Sequence, residues 1–246
     1  MSIDYMAVQD LEPIPGVQKY TIGCNWKFAV DNVWDWYHLG ITHASAAMAS
    51  PGRRRGGISF SRDRFLQPQM AVLGDYGHAI GGPRDEESAE AGPSGRGLPV
   101  KARAEIGDVG MKIGGHPHIF PNLWFMRRAV ILRLPKGPTK TEIWRIALVD
   151  KNMSAEEKRQ SVYQAIRWGQ GPAGMNEQED GENWVQSTTG TMGTVIKNHP
   201  LNYALNLGRG EVIEDESGPP HIETNMNEHA QLWYYRAWSE WMAAGS

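Results

Sequence analysis

Residues 129–148 read AVILRLPKGPTKTEIWRIAL, and this stretch decides the fold class. Two runs rich in β-branched and aromatic residues flank Pro135, Gly137 and Pro138, which favour a turn. The pattern predicts a β-hairpin, and a further strand is predicted over residues 119–126. We therefore predict an α+β protein, in which helices pack on one side of an antiparallel β-sheet.

Three helices are predicted after the hairpin. Ser154 and Glu157 form a capping box, which predicts a helix that ends at about Trp168. A second helix is predicted to carry residues 179–189. The final helix is predicted over residues 224–242, with one apolar stripe facing the core. The stripe consists of Met226, Ala230, Trp233, Ala237 and Trp241.

The N-terminal part of the chain is predicted to be less regular. Residues 1–16 are expected to form an N-terminal arm, because two prolines block regular structure. Residues 17–246 are expected to form one domain with one core. Within this domain, residues 18–28 alternate with the period of a strand. Residues 79–97 are rich in Gly, Pro, Ser and acidic residues, which predicts a loop.

Composition narrows the possible functions. The formal net charge of -3 and the pI of about 6.2 give no electrostatic reason to bind nucleic acid or an anionic membrane. No apolar run reaches the roughly 20 residues that a membrane-spanning helix needs. Cys24 is the single cysteine, which excludes an internal disulfide and suits a reducing compartment. We expect a cytoplasmic protein without nucleic-acid or membrane partners.

A second stretch carries the motif N-x-x-D-x-x-H-x-x-x-x-H in Asn32, Asp35, His38 and His43. Histidine is a common protein ligand for Zn, Cu, Fe and Ni. On a predicted helix, Asp35 and His38 share a face, whereas His43 lies roughly 140° around the helix from His38. Both rings can reach one ion only if the helix breaks between them, and Gly40 permits that break.

A metal site of this kind needs a third ligand. Asp180 is the candidate, in the run GMNEQEDGENW of residues 174–184. Two histidines and one carboxylate with open positions form the facial triad of non-haem Fe(II) oxygenases. The same donor types also bind zinc, and two histidines five residues apart occur often by chance.

The chain resembles a known family over most of its length. The matching segments are NWKF at 25–28, DN at 31–32, Asp35, YH at 37–38, THAS at 42–45, IFPNL at 119–123, GPAG at 171–174, EQEDGENW at 177–184, and EHAQ at 228–231 with Tyr235, Arg236 and Trp238. In this order they resemble the catalytic domain of the large (alpha) subunit of Rieske-type aromatic-ring-hydroxylating dioxygenases. The resemblance implies a helix-grip, START-like version of the α+β fold, with residues 17–246 as the mononuclear-iron catalytic domain.

The resemblance implies a role for each residue of the motif. His38, His43 and Asp180 would be the iron ligands. Asp35 would be the bridging carboxylate that couples the iron site to an electron donor in the neighbouring subunit. Asn32 would lie close to the metal, behind its ligands.

Further assignments follow from the same resemblance. The residue before the carboxylate ligand, often Asp in the family, is Glu179, which would replace Asp180 as ligand if the register were shifted by one. Independently of the resemblance, Glu182 and Asn183 are expected to orient the ligand helix, because partners behind the ligands fix ligand geometry. The pocket wall would include Val33, Leu39, Met175 and Asn176. Asn176 would be its polar member.

The resemblance also implies cofactors and partners. Mononuclear Fe(II) would activate O₂ and dihydroxylate an aromatic substrate to a cis-dihydrodiol, in aromatic hydrocarbon catabolism; some relatives monooxygenate or dealkylate instead. The electrons would come from a Rieske [2Fe–2S] cluster, which needs two Cys and two His. With one cysteine, this chain cannot bind that cluster, so a Rieske ferredoxin or a Rieske-domain chain would donate. The expected assembly is a homotrimer, with or without a small beta subunit.

Two other functions are compatible with the sequence. The first is a non-catalytic domain that binds an apolar ligand on the same scaffold, since the cluster is missing. The motif residues and Asp180 are all present, and a binding domain gains nothing from keeping a carboxylate placed for electron transfer, which argues against this function. The second is a zinc-dependent hydrolase. Iron content distinguishes the oxygenase from the hydrolase, and dihydrodiol formation with an added Rieske donor distinguishes it from the binding domain.

Overall fold

The computed structural model describes residues 2–48, 66–84, 102–126, 128–168, 174–214, 216 and 218–244. The chain divides into two compact units. The first unit comprises Met1–Leu11, Phe65–Arg127 and Tyr203–Ser246, and the second comprises Glu12–Arg64 and Arg128–Asn202. Within the described residues, no helix is both long and apolar enough to cross a bilayer.

Helices and strands are both distributed along the whole of the described chain. The α-helices are α1 (Ser2–Ala7), α2 (Trp26–Asp31), α3 (Leu39–Thr42), α4 (Ala44–Met48), α5 (Ala102–Lys112), α6 (Ala155–Trp168), α7 (Met175–Thr191) and α8 (His229–Ala244). The strands are β1 (Leu11–Pro13), β2 (Gln18–Ile22), β3 (Gln69–Leu73), β4 (Ala79–Pro83), β5 (His116–Ile119), β6 (Leu123–Met126), β7 (Ala129–Pro135), β8 (Thr141–Asp150), β9 (Glu211–Ile213) and β10 (His221–Thr224).

The second unit is built on the predicted hairpin. β7 pairs antiparallel with β8, and β2 pairs with the other edge of β8, with Tyr20 opposite Ile143. Buried and half-buried residues alternate along β7 and along the first half of β8, as in a strand with one face in the core. Cys24, Ala29 of α2 and Trp184 of α7 form one buried cluster, which packs the two helices together.

The first unit holds a second set of antiparallel strands, in the order β6-β5-β4-β3-β10-β9. Helix α8 packs against β3 and β4. His118 of β5 is fully buried, and its ring meets the Tyr234 ring of α8 edge-on, with centroids 6.0 Å apart. The aliphatic core of this unit consists of Val8, Met70, Val72, Ile80, Ala102, Ile106, Val109, Met111 and Ile113.

The main architectural predictions are confirmed. The protein is α+β with antiparallel strands, and residues 129–148 form the hairpin of β7 and β8. The capping box is formed as predicted: Glu157 N–H donates to Ser154 Oγ at 3.3 Å, and Ser154 N–H donates to Glu157 Oε2 at 2.8 Å. Helix α6 ends at Trp168, and α7 covers the second predicted helix.

The prediction that prolines block regular structure in residues 1–16 was wrong, whereas the assignment of these residues to an N-terminal arm stays a prediction. These residues include α1, which contacts α5, and β1. The two prolines at positions 13 and 15 follow α1 in the chain, so they do not restrict it. A domain boundary at residue 16 stays a prediction.

Four local boundaries also differ from the predictions. β2 ends at Ile22, because α2 begins only four residues later. A turn at residues 120–122 divides the strand predicted over residues 119–126 into β5 and β6. β4 occupies the start of the predicted loop, whose residues 85–97 lie outside the described residues. Helix α8 begins at His229, and its last turn leaves Trp241 57% exposed, so this residue is not in the core.

Candidate metal centre

The first half of the motif, from Asn32 to His38, lies in a turn and not in a helix. Helix α2 ends at Asp31, so the helix predicted over residues 32–38 was wrong. Asp35 Oδ1 accepts a hydrogen bond from the backbone N–H of His38 at 3.0 Å. Aspartate side chains compete in this way with the backbone carbonyls that would continue a helix. The predicted contact between Asp35 and His38 is nevertheless present, at 3.4 Å between Oδ1 and Nδ1.

The two histidines lie at opposite ends of α3. His38 is its N-cap and His43 its C-cap, and only four residues separate them. Because α3 is a single turn, the rings come together, with their Nε2 atoms 3.3 Å apart and their planes at 75°. Gly40 was predicted to break the helix, but it is buried inside α3. The short length of the helix brings the rings together without a break.

Helix α7 brings Asp180 to the two rings. Asp180 Oδ1 lies 3.4 Å from His38 Nε2 and 3.2 Å from His43 Nε2. In the part of the chain that the structure describes, these are the three residues whose ligand atoms cluster closely enough to hold one ion. Asp180, not Glu179, therefore completes the predicted triad of donors.

The geometry fits a metal ion. Three donor atoms 3.2–3.4 Å apart can each lie about 2.1 Å from one ion, the usual bond length to nitrogen and carboxylate oxygen. Asp180 Oδ1 is buried and, among the described residues, has no hydrogen-bond donor with acceptable geometry. Buried polar atoms are rarely left in this state, and a cation between the three atoms would satisfy this oxygen.

Electrostatics couples the three groups. Burial lowers the pKa of His38, but Asp180 and Asp35 outweigh burial and raise this pKa to about 9. Burial also opposes the charged form of His43, yet Asp180 and Glu179 raise its pKa. The pKa of Asp180 is lowered, since the two imidazoles outweigh the effect of its burial. A metal ion would have to displace protons from these rings, because the ligand form of histidine is neutral.

Carboxylate and amide side chains of α7 surround the donors. Glu179 Oε2 lies 2.9 Å from His43 Nδ1. Asn183 Nδ2 donates to Thr42 Oγ1 at 2.9 Å, which ties α7 to α3 and agrees with the orienting role predicted for Asn183. Glu182 instead accepts from Gln186 at 2.8 Å on the exposed side of the helix.

The remaining predicted site residues lie near the donors in the chain. Asn32 caps the end of α2, with its backbone N–H donating to Phe28 O at 3.3 Å. Val33 is buried, whereas the other three residues predicted for the pocket wall are half-buried. Leu39 directly follows His38 in α3, and Met175 and Asn176 form the first turn of α7. Residues 171–173, which contribute to the resemblance, lie outside the described residues.

Sequence reasoning missed one buried ionic group beside the site. Arg145 of β8 donates to Glu177 of α7 at 3.0 Å, and Tyr20 of β2 also donates to Glu177. A signal was available, because Arg145 occupies the same face of the predicted strand as Ile143. The alternation of buried and half-buried residues along the strand places Arg145 towards the core, where the charge of an arginine requires a counter-ion.

Comparison with known proteins assigns the family. The family model for the ring hydroxylating alpha subunit (catalytic domain) matches residues 8–244. The chain is 31% identical to biphenyl dioxygenase subunit alpha of Paraburkholderia xenovorans strain LB400, over 95% of this chain and 54% of that protein. It is 29% identical to benzene 1,2-dioxygenase subunit alpha of Pseudomonas putida, over 95% of this chain and 55% of that protein.

Structural comparison agrees. Naphthalene 1,2-dioxygenase from Rhodococcus sp., in a crystal structure with indole bound, matches with a TM-score of 0.75 and 27% sequence identity, over 99% of this chain and 60% of that chain. The chain therefore belongs to the family of ring-hydroxylating alpha subunits, in the region of their catalytic domain. It spans about half the length of the curated relatives that it matches.

Proposed function

We propose that residues 17–246 are the catalytic domain of an aromatic-ring-hydroxylating dioxygenase with one mononuclear non-haem iron. One observation carries this proposal: two imidazole nitrogens and one carboxylate oxygen, from His38, His43 and Asp180, converge within 3.4 Å of one another. These residues would hold Fe(II). Membership of the ring-hydroxylating family favours iron over zinc as the resident metal.

Fe(II), when bound, would supply the activation of O₂ for dihydroxylation of an aromatic ring to a cis-dihydrodiol. Three protein ligands leave coordination positions open for this chemistry. The chain itself keeps the donors together in largely buried surroundings. Val33, Leu39, Met175 and Asn176 are the proposed pocket wall, and three of these four are apolar. An apolar aromatic substrate fits this composition, and the names of the biphenyl and benzene dioxygenases point the same way.

The electrons are proposed to come from a Rieske [2Fe–2S] cluster in another domain or chain. Such a cluster requires two cysteines and two histidines, and Cys24, the single cysteine of this sequence, is buried. Asp35 is proposed to couple His38 to that donor in a neighbouring subunit of a homotrimer, with or without a small beta subunit. A cytoplasmic location is part of the same proposal, because a lone thiol suits a reducing compartment.

Metal content tests the proposal first. The chain is purified without oxygen, and iron and zinc are measured before and after addition of Fe(II). We expect about one iron per chain, and loss of that iron in His38→Ala and in Asp180→Ala, because each variant removes one of three ligands. Glu182→Ala, on the exposed side of α7, is the matched control and should keep its iron. Tight binding of zinc in preference to iron would refute the oxygenase and favour a hydrolase.

Turnover tests the proposed dihydroxylation and the proposed role of Asp35. The iron-loaded chain is supplied with a Rieske ferredoxin, its reductase, O₂ and biphenyl or naphthalene, and the products are analysed for a cis-dihydrodiol. Asp35→Asn should keep its iron and lose most of its turnover. The asparagine oxygen can still accept from the His38 N–H, so the turn survives while the charge is removed. Full turnover in this variant would exclude the coupling role of Asp35. Substrate binding without product in the wild type would indicate a binding domain.

A further inference from the structure

The ring of His43 is held from both sides by neighbouring residues of α7. Its Nε2 faces Asp180 Oδ1 at 3.2 Å, and its Nδ1 faces Glu179 Oε2 at 2.9 Å. A carboxylate at this distance favours the tautomer in which Nδ1–H donates a hydrogen bond to it, which leaves the lone pair of Nε2 free to bind a metal. Two consecutive side chains of one helix thus contact opposite edges of one imidazole.

The second oxygen of Glu179 is also engaged. Ser45 Oγ, on α4, donates a hydrogen bond to Glu179 Oε1. Ser45 follows His43 by two residues, so the carboxylate is held between the ring and a hydroxyl of the same short segment. With both oxygens occupied, Glu179 is bound behind the ring and does not join the donor cluster.

Among the residues that the structure describes, Nδ1 of His38 has no hydrogen-bond partner with acceptable geometry. Its Nδ1 lies 3.4 Å from Asp35 Oδ1, and the same oxygen accepts the backbone N–H of His38 at 3.0 Å. The shared oxygen divides its hydrogen-bonding capacity between two donors, whereas Glu179 Oε2 faces the ring of His43 at 2.9 Å. The orientation of His43 is therefore the more strongly determined of the two rings.

We propose that Glu179 is a positioning residue for His43, and that Ser45 acts by holding Glu179 in place. This inference rests on the proposed metal centre, but it does not depend on whether the resident metal is iron or zinc. Glu179 fixes the proton on Nδ1 and the plane of the ring, so that Nε2 points at the position shared with His38 and Asp180. Glu179, which the sequence analysis gave as the alternative to Asp180 as a ligand, is thus proposed to orient the ligand His43 instead.

The test compares metal affinity in matched variants, measured with Co(II) and Zn(II) against a competing chelator. Glu179→Ala should weaken binding of both metals by about 10- to 100-fold, the usual effect of removing a partner of a ligating histidine. Glu179→Gln keeps an acceptor oxygen and should lose less. Glu182 lies three residues further along α7, outside the site, so Glu182→Gln should bind both metals as tightly as the wild type. An unchanged affinity in Glu179→Ala would overturn the proposal.

A double mutant tests the role of Ser45. If Ser45 acts through Glu179, Ser45→Ala should weaken metal binding in the wild type and have no further effect in Glu179→Ala. Additive losses would refute this order of action. Urea unfolding of each metal-free variant shows whether the fold is retained. A variant that loses affinity only because it unfolds would count against a positioning role.

A spectroscopic measurement distinguishes positioning from general stabilisation. Long-range ¹H–¹⁵N spectra of the zinc-loaded chain should show His43 protonated at Nδ1, with this proton lost or exchanging faster in Glu179→Ala. Protonation at Nε2 in the wild type would overturn the proposal. If iron fails to bind but zinc shows these effects, the oxygenase function fails while the role of Glu179 stands. If the wild type binds no metal, both fail.

Discussion

Arg145 and Glu177 form a buried ion pair that ties the sheet of the second unit to the helix carrying Asp180. Arg145 Nη1 donates to Glu177 Oε2 at 3.0 Å, and the two side chains are 1% and 10% exposed. Glu177 also accepts the hydroxyl proton of Tyr20. It lies in the first turn of α7, three residues before Asp180. The charged group therefore anchors the beginning of the ligand helix to β8 and β2.

Removing one partner of this pair should be strongly destabilising. Arg145→Met leaves the Glu177 carboxylate buried without its counter-ion, which typically costs about 3–5 kcal/mol. The control is Arg236→Met, whose ion pair with Glu240 is 68% and 64% exposed and should contribute less than about 1 kcal/mol. The free energy of unfolding is measured in urea at neutral pH. A similar, small loss in both variants would show that the pair does not anchor the helix.

Tyr20 should make the stability of the protein depend on pH in the alkaline range. Burial, together with the Glu177 carboxylate beside it, raises the pKa of Tyr20 above its ordinary value of 10.0. The unfolded chain therefore releases this proton at a lower pH than the folded chain, so the contribution is complete below pH 10.0 and falls as pH rises above it. One such proton contributes a slope of about 1.4 kcal/mol per pH unit.

Tyr20→Phe isolates this contribution. The variant removes the titrating hydroxyl, so its stability should fall less steeply above pH 10.0 than that of the wild type. At neutral pH it should be less stable, because Glu177 loses a hydrogen-bond donor. Urea unfolding at several pH values between neutral and alkaline gives both numbers. Equal alkaline slopes in the two proteins would mean that folding does not raise the pKa of the Tyr20 hydroxyl.

The hairpin of β7 and β8 and helix α6 could be predicted because their signals are local. Alternating residues in 129–148 and the capping box at Ser154 depend on neighbours within a few positions. The turn before His38 was not predicted, because two local signals compete there. The spacing of Asn32, Asp35 and His38 fits a helix, but the Asp35 side chain accepts the His38 N–H instead. Spacing alone does not decide this competition.

Contacts between distant segments could not be predicted from the sequence. Glu179 and His43 are separated by 136 positions, so no periodicity relates them. β4 was predicted to be a loop because of its two glycines and its proline. In the fold, Gly115 approaches the backbone of Gly81 in β4 so closely that position 115 has no room for a Cβ. The composition predicted a loop, whereas residues 79–83 form a strand paired with β3.

Cys24 should be unreactive in the folded protein. Its thiol is fully buried, and burial raises its pKa, so little of the reactive thiolate is present near neutral pH. Ellman's reagent should therefore label no thiol in the native chain at pH 8 and about one per chain in denaturant. Cys24→Ala, which abolishes the denatured signal, is the control. Rapid labelling of the native chain would place Cys24 at the surface, contrary to the structure.

The same substitution at two glycines should change stability in opposite directions. A Cβ at Gly115 would lie 2.1 Å from Gly81 O and 2.3 Å from its carbonyl carbon, so the two backbone segments must separate. Gly115→Ala should therefore cost about 1–3 kcal/mol, as other overpacked sites do. A Cβ at Gly190, near the end of α7, would meet no atom within 4 Å, and Gly190→Ala should stabilise the chain by up to about 1 kcal/mol.

The free energy of unfolding in urea is measured for both glycine variants. Because both changes remove backbone freedom from the unfolded chain, which is stabilising, a net loss of stability in Gly115→Ala reports the close approach. Equal effects would show that β4 and Gly115 do not pack at this distance.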